Sequence, residues 1–190
     1  YGTGGWTAND QSVLLYDEFD IWEVKPDGSG ARLLTAGDGR KQNLIFRYRS
    51  LDPEERTVPA NKPMLLTSTS ERTRATGFYR MATTDPAPLE KIGTPAKAAG
   101  TPGKASGAAA KAAKAEPAAA LVLLFAPPEK IVMLDKALGA LAKATKGETI
   151  VFTLSRFEEF PDVWTSSDIN FRDMKRVSNA NPQQADFVWG

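Results

Sequence analysis

The segment 16–35 constrains the fold more than any other part of the chain, because it reads as three short strands in twenty residues. An apolar run ends at Tyr16, a polar turn follows, and a second apolar strand begins at Ile21. Pro26-Asp27-Gly28-Ser29-Gly30 is a strong turn signal that leads into a third strand at Leu33. Antiparallel strands joined at this density predict an all-β fold and suit one blade of a β-propeller.

The same pattern of an apolar strand, a polar link and a strand opening near an aromatic recurs along the chain. Its three copies are Val13-Leu14-Leu15-Tyr16 before Asp20-Ile21-Trp22, Met64-Leu65-Leu66-Thr67 before Gly77-Phe78-Tyr79, and Ile150-Val151-Phe152-Thr153-Leu154 before Asp162-Val163-Trp164. Arg32-Leu33-Leu34-Thr35 in the first copy corresponds to Lys175-Arg176-Val177-Ser178 in the third. The copies start 51 and 86 residues apart, and the second interval becomes 59 without residues 94–120. Such intervals are typical of propeller blades and predict a partial propeller of about three four-stranded antiparallel sheets.

Residues 94–120 consist almost entirely of Ala, Lys, Gly and Pro. A segment with no aromatic or large aliphatic side chain cannot offset the entropy of ordering, so it is predicted to be a disordered surface loop. The predicted organisation is therefore propeller blades over 1–93, the insertion over 94–120, and blades over 121–190 that are cut off at the start of a further blade. Residues 135–146, with leucines at helical spacing, are predicted to form a short helix or turn.

The chain contains no histidine and no cysteine. A Ser-His-Asp or Cys-His arrangement needs an imidazole to take up and return a proton, so no such catalytic site can form from these residues. Structural zinc sites built from Cys and His are excluded for the same reason. We predict no catalytic residue, no metal ligand and no cofactor in this chain.

The charge distribution and the hydropathy of the chain limit which classes of partner it is expected to bind. The insertion carries four lysines and one glutamate, so the rest of a chain with net charge +1 is mildly acidic. This distribution argues against a nucleic-acid-binding surface. The longest apolar run, residues 118–126, is too short to span a bilayer. No signal peptide is visible at Tyr1, where a basic region followed by an apolar stretch would be expected.

The segment WTANDQSVLLYDEFDIWEVKPDGS, residues 6–29, resembles the blade pattern of the prolyl oligopeptidase family of serine peptidases, whose propellers have TolB-like repeats. That pattern is Trp-Ser/Thr-Pro-Asp-Gly, then an apolar strand, then Asp-Ile-Trp. Ala8-Asn9-Asp10 departs from Pro-Asp-Gly inside a turn. Residues 77–91 and 152–164 also resemble segments of bacterial members, and 181–190 resembles the start of a following blade.

In this family a propeller covers an α/β-hydrolase domain and restricts which peptides reach its active site. The nucleophile elbow G-x-S-x-G of that hydrolase is absent here. The resemblance therefore implies a non-catalytic propeller segment, with peptide substrates reached through a hydrolase domain outside these residues and a periplasmic or secreted location. The alternative is a stand-alone TolB-like propeller that binds periplasmic proteins.

Three groups of residues invite functional interpretations. Glu158 and Glu159 could grip the free amine of a peptide, as a double Glu does in some dipeptidyl peptidases of the family, or form a solvated turn anchored by Phe157 and Phe160. Asp17, Glu18 and Asp20 could form a metal or glycosidase cluster, but their position in a turn favours a structural role. The four tryptophans are predicted to pack between blades, with Trp22 and Trp164 at equivalent positions.

Overall fold

The computed structural model describes residues 2–59, 62–81 and 126–187, which are mostly β. They form three four-stranded antiparallel sheets in which the strands follow one another in chain order. Sheet I consists of β1 (Gly2–Trp6), β2 (Val13–Tyr16), β3 (Ile21–Val24) and β4 (Ala31–Leu33). Sheet II consists of β5 (Leu44–Tyr48), β6 (Met64–Ser70), β7 (Thr76–Met81) and β8 (Glu129–Leu134). Sheet III consists of β9 (Ala137–Lys143), β10 (Ile150–Arg156), β11 (Glu159–Ser166) and β12 (Lys175–Arg176).

The prediction of three four-stranded antiparallel sheets is confirmed. Helical structure among the described residues is limited to α1 (Asp38–Gln42) and two 3₁₀ helices, Ala8–Asp10 and Pro182–Asp186. Turn chemistry explains the tight connections of sheet I. Between β2 and β3, Asp17 accepts hydrogen bonds from the amides of Phe19 and Asp20. Between β3 and β4, Gly28 adopts a φ of 73°, a conformation that glycine reaches without steric cost.

The three sheets pack face to face through two hydrophobic clusters. The first cluster joins sheets I and II. It includes Leu14 and Ile21 from sheet I and Leu34, which directly follows β4. Its residues from sheet II are Phe46, Met64, Leu66, Tyr79 and Met81. The second joins sheets II and III through Leu65 and Phe78 on one side and Ile150, Phe152 and Leu154 on the other, with Phe171 between them. Sheet II is therefore covered on both faces. Within the second cluster, the ring of Phe78 stacks on Phe171 with centroids 4.0 Å apart.

Neighbouring residues of sheet II point to opposite sides because side chains alternate along a strand. Leu66 contacts the sheet I side and Leu65 the sheet III side. In the paired strand β7, Tyr79 and Phe78 divide in the same way.

The predicted helix or turn over 135–146 is wrong, since most of it is strand β9. Leu138 lies opposite Leu154 and Leu141 opposite Phe152, so β9 has one extra residue between these two pairs. That β-bulge lets two leucines three residues apart contact the same cluster, which a regular strand would not allow. The Thr153 hydroxyl accepts a hydrogen bond from the Ala140 amide at the bulge.

The insertion 94–120 lies outside the described residues, as do residues 188–190 of the segment predicted to begin a further blade. The strands that flank the insertion are direct neighbours, because Arg80 of β7 lies opposite Glu129 of β8. Their side chains form an ion pair at 2.7 Å. Residues 82–128 therefore connect adjacent antiparallel strands of one sheet.

The two equivalent tryptophans have different surroundings. Trp164 lies opposite Phe152 and packs half-buried against the cluster between sheets II and III. Trp22 lies opposite Leu15 on the other side of sheet I from Leu14 and Ile21, which pack on sheet II. No sheet lies on this side of Trp22 among the described residues, so the expectation that its indole is buried between sheets stays a prediction.

Candidate functional site

The predicted amine-binding pair lies at the turn between β10 and β11. Glu158 is exposed in that turn, and Glu159 begins β11. The Glu159 carboxylate forms an ion pair with the Lys136 ammonium, which reaches across from the turn between β8 and β9. The same ammonium lies 5.6 Å from the centroid of the Trp164 ring. To bind a peptide amine, Glu159 would have to exchange an internal cation for the ligand; the site assignment stays a prediction.

Phe157 and Phe160, predicted to anchor this turn, have side chains that are 79% and 52% exposed. A hydrogen bond of 2.8 Å from the Phe160 amide to the Gln184 side-chain oxygen holds the backbone. Glu158 therefore projects from a solvated turn with an exposed aromatic on either side of the doublet.

A shallow groove of about 220 Å³ adjoins this turn. It is lined by Thr73, Arg74, Asp135, Lys136, Ala137, Ser155, Arg156 and Phe157, which come from three neighbouring connections. Arg156 donates to the Asp135 carbonyl at 2.6 Å and pairs with the Asp135 carboxylate at 3.2 Å. The lining thus has three cationic side chains and one carboxylate, which makes it weakly attractive to anionic groups.

The acidic turn 17–20 has a structural role. Asp20 is 2% exposed and accepts hydrogen bonds from the Thr35 hydroxyl and from the amides of Gly39 and Arg40. Those two amides belong to the first turn of α1, whose N–H groups have no partner within the helix. Asp17 is partly buried, which raises its pKa, but hydrogen bonds from the Trp22 indole and two backbone amides outweigh burial and lower the pKa overall. Both carboxylates are thus engaged as acceptors within the protein.

The larger cleft, of about 370 Å³, lies at the opposite end of the sheets and was missed by sequence reasoning. It is bounded by the connection between β5 and β6 and by the turn after β9. Val58 fixes that connection, because its side chain is buried in the first cluster and its amide donates to the Trp6 carbonyl at 2.7 Å. The only sequence signal was a fifteen-residue link between two strands, residues 49–63, with prolines at 53, 59 and 63.

The chemistry of this cleft is mixed. Its charged lining residues are Arg49, Asp52, Glu54, Glu55, Lys62 and Lys143, and its apolar ones include Leu51, Met64 and Leu65. Burial raises the pKa of the Tyr48 hydroxyl, and the nearby Glu55 carboxylate raises it further. Opposite charges around an apolar floor can hold polar and apolar groups of a peptide, but they offer no nucleophile paired with a base.

One further carboxyl group has a strongly lowered pKa. Asp173, in the connection between β11 and β12, accepts hydrogen bonds from the Ser167 amide at 3.0 Å and from the Ser166 hydroxyl at 2.8 Å. These bonds stabilise the charged form and lower the pKa of Asp173 to about 2. Because Ser166 ends β11 and Ser167 follows it directly, these bonds tie the connection between β11 and β12 to the end of β11.

Within residues 2–59, 62–81 and 126–187, no three acidic, histidine or cysteine side chains are grouped so that they could hold a metal ion. No helix in the same residues is long and apolar enough to cross a membrane. The chain matches no family model, no curated protein and no solved structure. Its function must therefore be argued from its own residues.

Proposed function

We propose that the chain is a non-catalytic β-propeller segment of a serine peptidase resembling prolyl oligopeptidase, and that it restricts the access of peptides to a hydrolase domain outside these residues. The observation that carries the proposal is a positional repeat in how the sheets pack. Equivalent residues of the sequence copies pack in the same direction, either toward the following sheet or toward the preceding one, as in the blades of one propeller.

The repeat is clearest in the second strand of each sheet. Leu14 of sheet I packs toward sheet II, and its equivalent Leu65 of sheet II packs toward sheet III. The equivalent residue of sheet III, Val151, is 41% exposed because no further sheet lies on it among the described residues.

Residues that face the preceding sheet repeat in the same way. Leu66 and Tyr79 of sheet II pack toward sheet I, and their equivalents Phe152 and Trp164 of sheet III pack toward sheet II. A stack with one constant direction of packing is what a propeller requires.

The absence of histidine supports a non-catalytic role for the segment itself. In this proposal the peptide-cleaving residues lie in the hydrolase domain, and the three sheets limit which peptides approach it. The cleft bounded by residues 49–63 favours the second candidate, a stand-alone TolB-like propeller in the periplasm, because its mixed charges and apolar floor suit the binding of a protein segment.

The test compares the full-length gene product with residues 1–190 produced alone. We expect a serine-directed fluorophosphonate to label the full-length protein at the serine of a G-x-S-x-G elbow encoded after these residues, and to leave the 190-residue chain unlabelled. Replacement of that serine by alanine is the control. A gene without such an elbow would favour the binding module, and turnover of a peptide ester by the purified 190-residue chain would contradict both candidates.

A further inference from the structure

The cleft bounded by residues 49–63 has its cationic side chains at the ends of strands. Arg49 directly follows β5, Lys62 lies two residues before β6, and Lys143 is the last residue of β9. The Arg49 amide donates to the Leu65 carbonyl at 2.9 Å, which continues the pairing of β5 with β6. Because residues opposite each other on paired strands lie on the same face of a sheet, Arg49 is on the face of sheet II that Leu65 turns toward sheet III.

The acidic side chains of the cleft come from one short turn, which contains Asp52, Glu54 and Glu55. The Asp52 carbonyl accepts hydrogen bonds from the Ser50 hydroxyl at 2.8 Å and from the Glu55 amide at 3.2 Å. The Asp52 carboxylate accepts one from the Glu54 amide at 2.9 Å, so it is engaged within the turn. The carboxylates of Glu54 and Glu55 are therefore held in the lining by an ordered turn, apart from the strand ends that carry the cations.

Most of these charges are not neutralised within the protein. Lys143 pairs with Glu148 at 3.1 Å. Four other charged side chains of the cleft form no ion pair among the described residues, namely Arg49, Lys62, Glu54 and Glu55. Charges of both signs that line one cleft without pairing are available to a ligand that carries both signs itself, through charge-assisted hydrogen bonds.

Much of the remaining lining is apolar. Leu51 is half-buried and packs against the cluster between sheets II and III. Pro53, Pro59 and Pro63 line the same space, and a proline ring adds apolar surface without an amide donor. The volume of about 370 Å³ lies at the lower end of the range for ligand sites, which is about 300–1,000 Å³. The cleft therefore suits a small ligand that combines two opposite charges with an apolar group.

We propose that this cleft binds a short peptide by its two free ends. Arg49 and Lys62 hold the terminal carboxylate, and an apolar side chain of the peptide packs on Leu51. Glu54 and Glu55 hold the terminal ammonium. The inference goes beyond the proposed function, since it needs no hydrolase domain and concerns free peptide ends, which an internal segment of a protein lacks.

The test measures binding of the tripeptide Ala-Leu-Ala to the full-length protein by isothermal titration calorimetry. The protein is first treated with the fluorophosphonate, so that no serine peptidase cleaves the probe. We expect one tripeptide to bind per chain. The N-acetylated form and the C-terminal amide should each bind about tenfold more weakly or worse, because each loses one charge that the cleft recognises.

Two double variants assign the ends. Arg49→Gln with Lys62→Gln should weaken binding of the free tripeptide about tenfold or more, and should not change binding of the C-terminal amide. Glu54→Gln with Glu55→Gln should do the same to the free tripeptide and should not change binding of the N-acetylated form. Unchanged binding of the matched blocked peptide also shows that each variant is folded. Lys146→Gln and Glu71→Gln remove one exposed charge each outside the cleft lining and should bind the free tripeptide as the unmodified protein does.

The proposal would be overturned if the free tripeptide did not bind, or if a tripeptide blocked at both ends bound equally well. Variants that leave binding unchanged, or that weaken free and blocked peptides alike, would also overturn it. None of these results would affect the fluorophosphonate labelling of the full-length protein, so a failure of this inference is distinct from a failure of the proposed function.

Discussion

The Thr35 hydroxyl donates a hydrogen bond of 2.6 Å to the buried carboxylate of Asp20, and Thr35 also accepts one from the Ile21 amide at 3.2 Å. Sheet III repeats this arrangement. There the Ser178 hydroxyl donates to Asp162 at 2.7 Å and accepts from the Val163 amide at 2.8 Å. In both sheets the Asp that directly precedes the equivalent residues Ile21 and Val163 holds a hydroxyl residue after the fourth strand. The sequence correspondence of residues 32–35 with 175–178 is thus reproduced bond by bond.

Asp20→Ala should destabilise the protein by about 3 kcal/mol, because it leaves the Thr35 hydroxyl and two amides of α1 without their acceptor in a buried site. Urea unfolding at pH 7 measures the loss. Thr35→Ser is the matched control, since it keeps the hydroxyl and should cost far less. Asp162→Ala should also destabilise, but by less, because Asp162 is more exposed. Equal stability of Asp20→Ala and the unmodified chain would show that the bonds to this carboxylate add nothing.

Acid should weaken the protein partly through Asp173. Its pKa is about 2 in the folded chain, against an ordinary value of 3.8, so the charged form is favoured by folding. That contribution is fully present above about pH 4 and is lost as the pH falls toward 2. We expect Asp173→Asn to lose less stability between pH 5 and pH 2.5 than the unmodified chain does. Asp186→Asn controls for the removal of one negative charge, and identical pH profiles for all three proteins would rule out the contribution of Asp173.

Deletion of residues 94–120 should leave the strand content and the melting temperature almost unchanged. β7 and β8 are paired directly, with Arg80 opposite Glu129, so a shorter connection can still join them. Roughly halving the connection should stabilise the sheet by only about 0.6 kcal/mol through loop-closure entropy. Circular dichroism and thermal unfolding measure both quantities. A loss of more than about 2 kcal/mol would mean that the segment packs against the sheets.

The repeat was predictable because it rests on local signals. The apolar strand, the polar turn and the Asp that opens the next strand can each be read from adjacent residues, as in Leu15, Asp17 and Asp20. Strand β9 was not predictable, because Leu138 and Leu141 have a spacing that suits one face of a helix. The segment is a strand because it pairs with β10 and because a bulge places both leucines on one face. Both features depend on residues distant in sequence.

Which face of a sheet is covered by a neighbouring sheet was also not predictable from the sequence. Trp22 and Trp164 occupy the same place in their repeats, yet among the described residues a sheet lies on the side of Trp164 and none on the side of Trp22. The cleft at residues 49–63 was missed for a similar reason. The boundary of the cleft depends on Val58, which pairs with Thr7 and packs in the first cluster. This contact joins residues distant in sequence, so no local pattern predicts it.

The most direct test of the account compares alanine substitutions at three equivalent positions, Leu14, Leu65 and Val151, at protein concentrations where the chain is monomeric. Leu14→Ala and Leu65→Ala should each lower the free energy of unfolding by about 2–5 kcal/mol, because each side chain is buried against the following sheet. Val151→Ala should cost less than about 1 kcal/mol, because this side chain is 41% exposed and no sheet lies on it among the described residues. Small losses at both leucines, or a loss at Val151 as large as theirs, would contradict the repeated face-to-face packing.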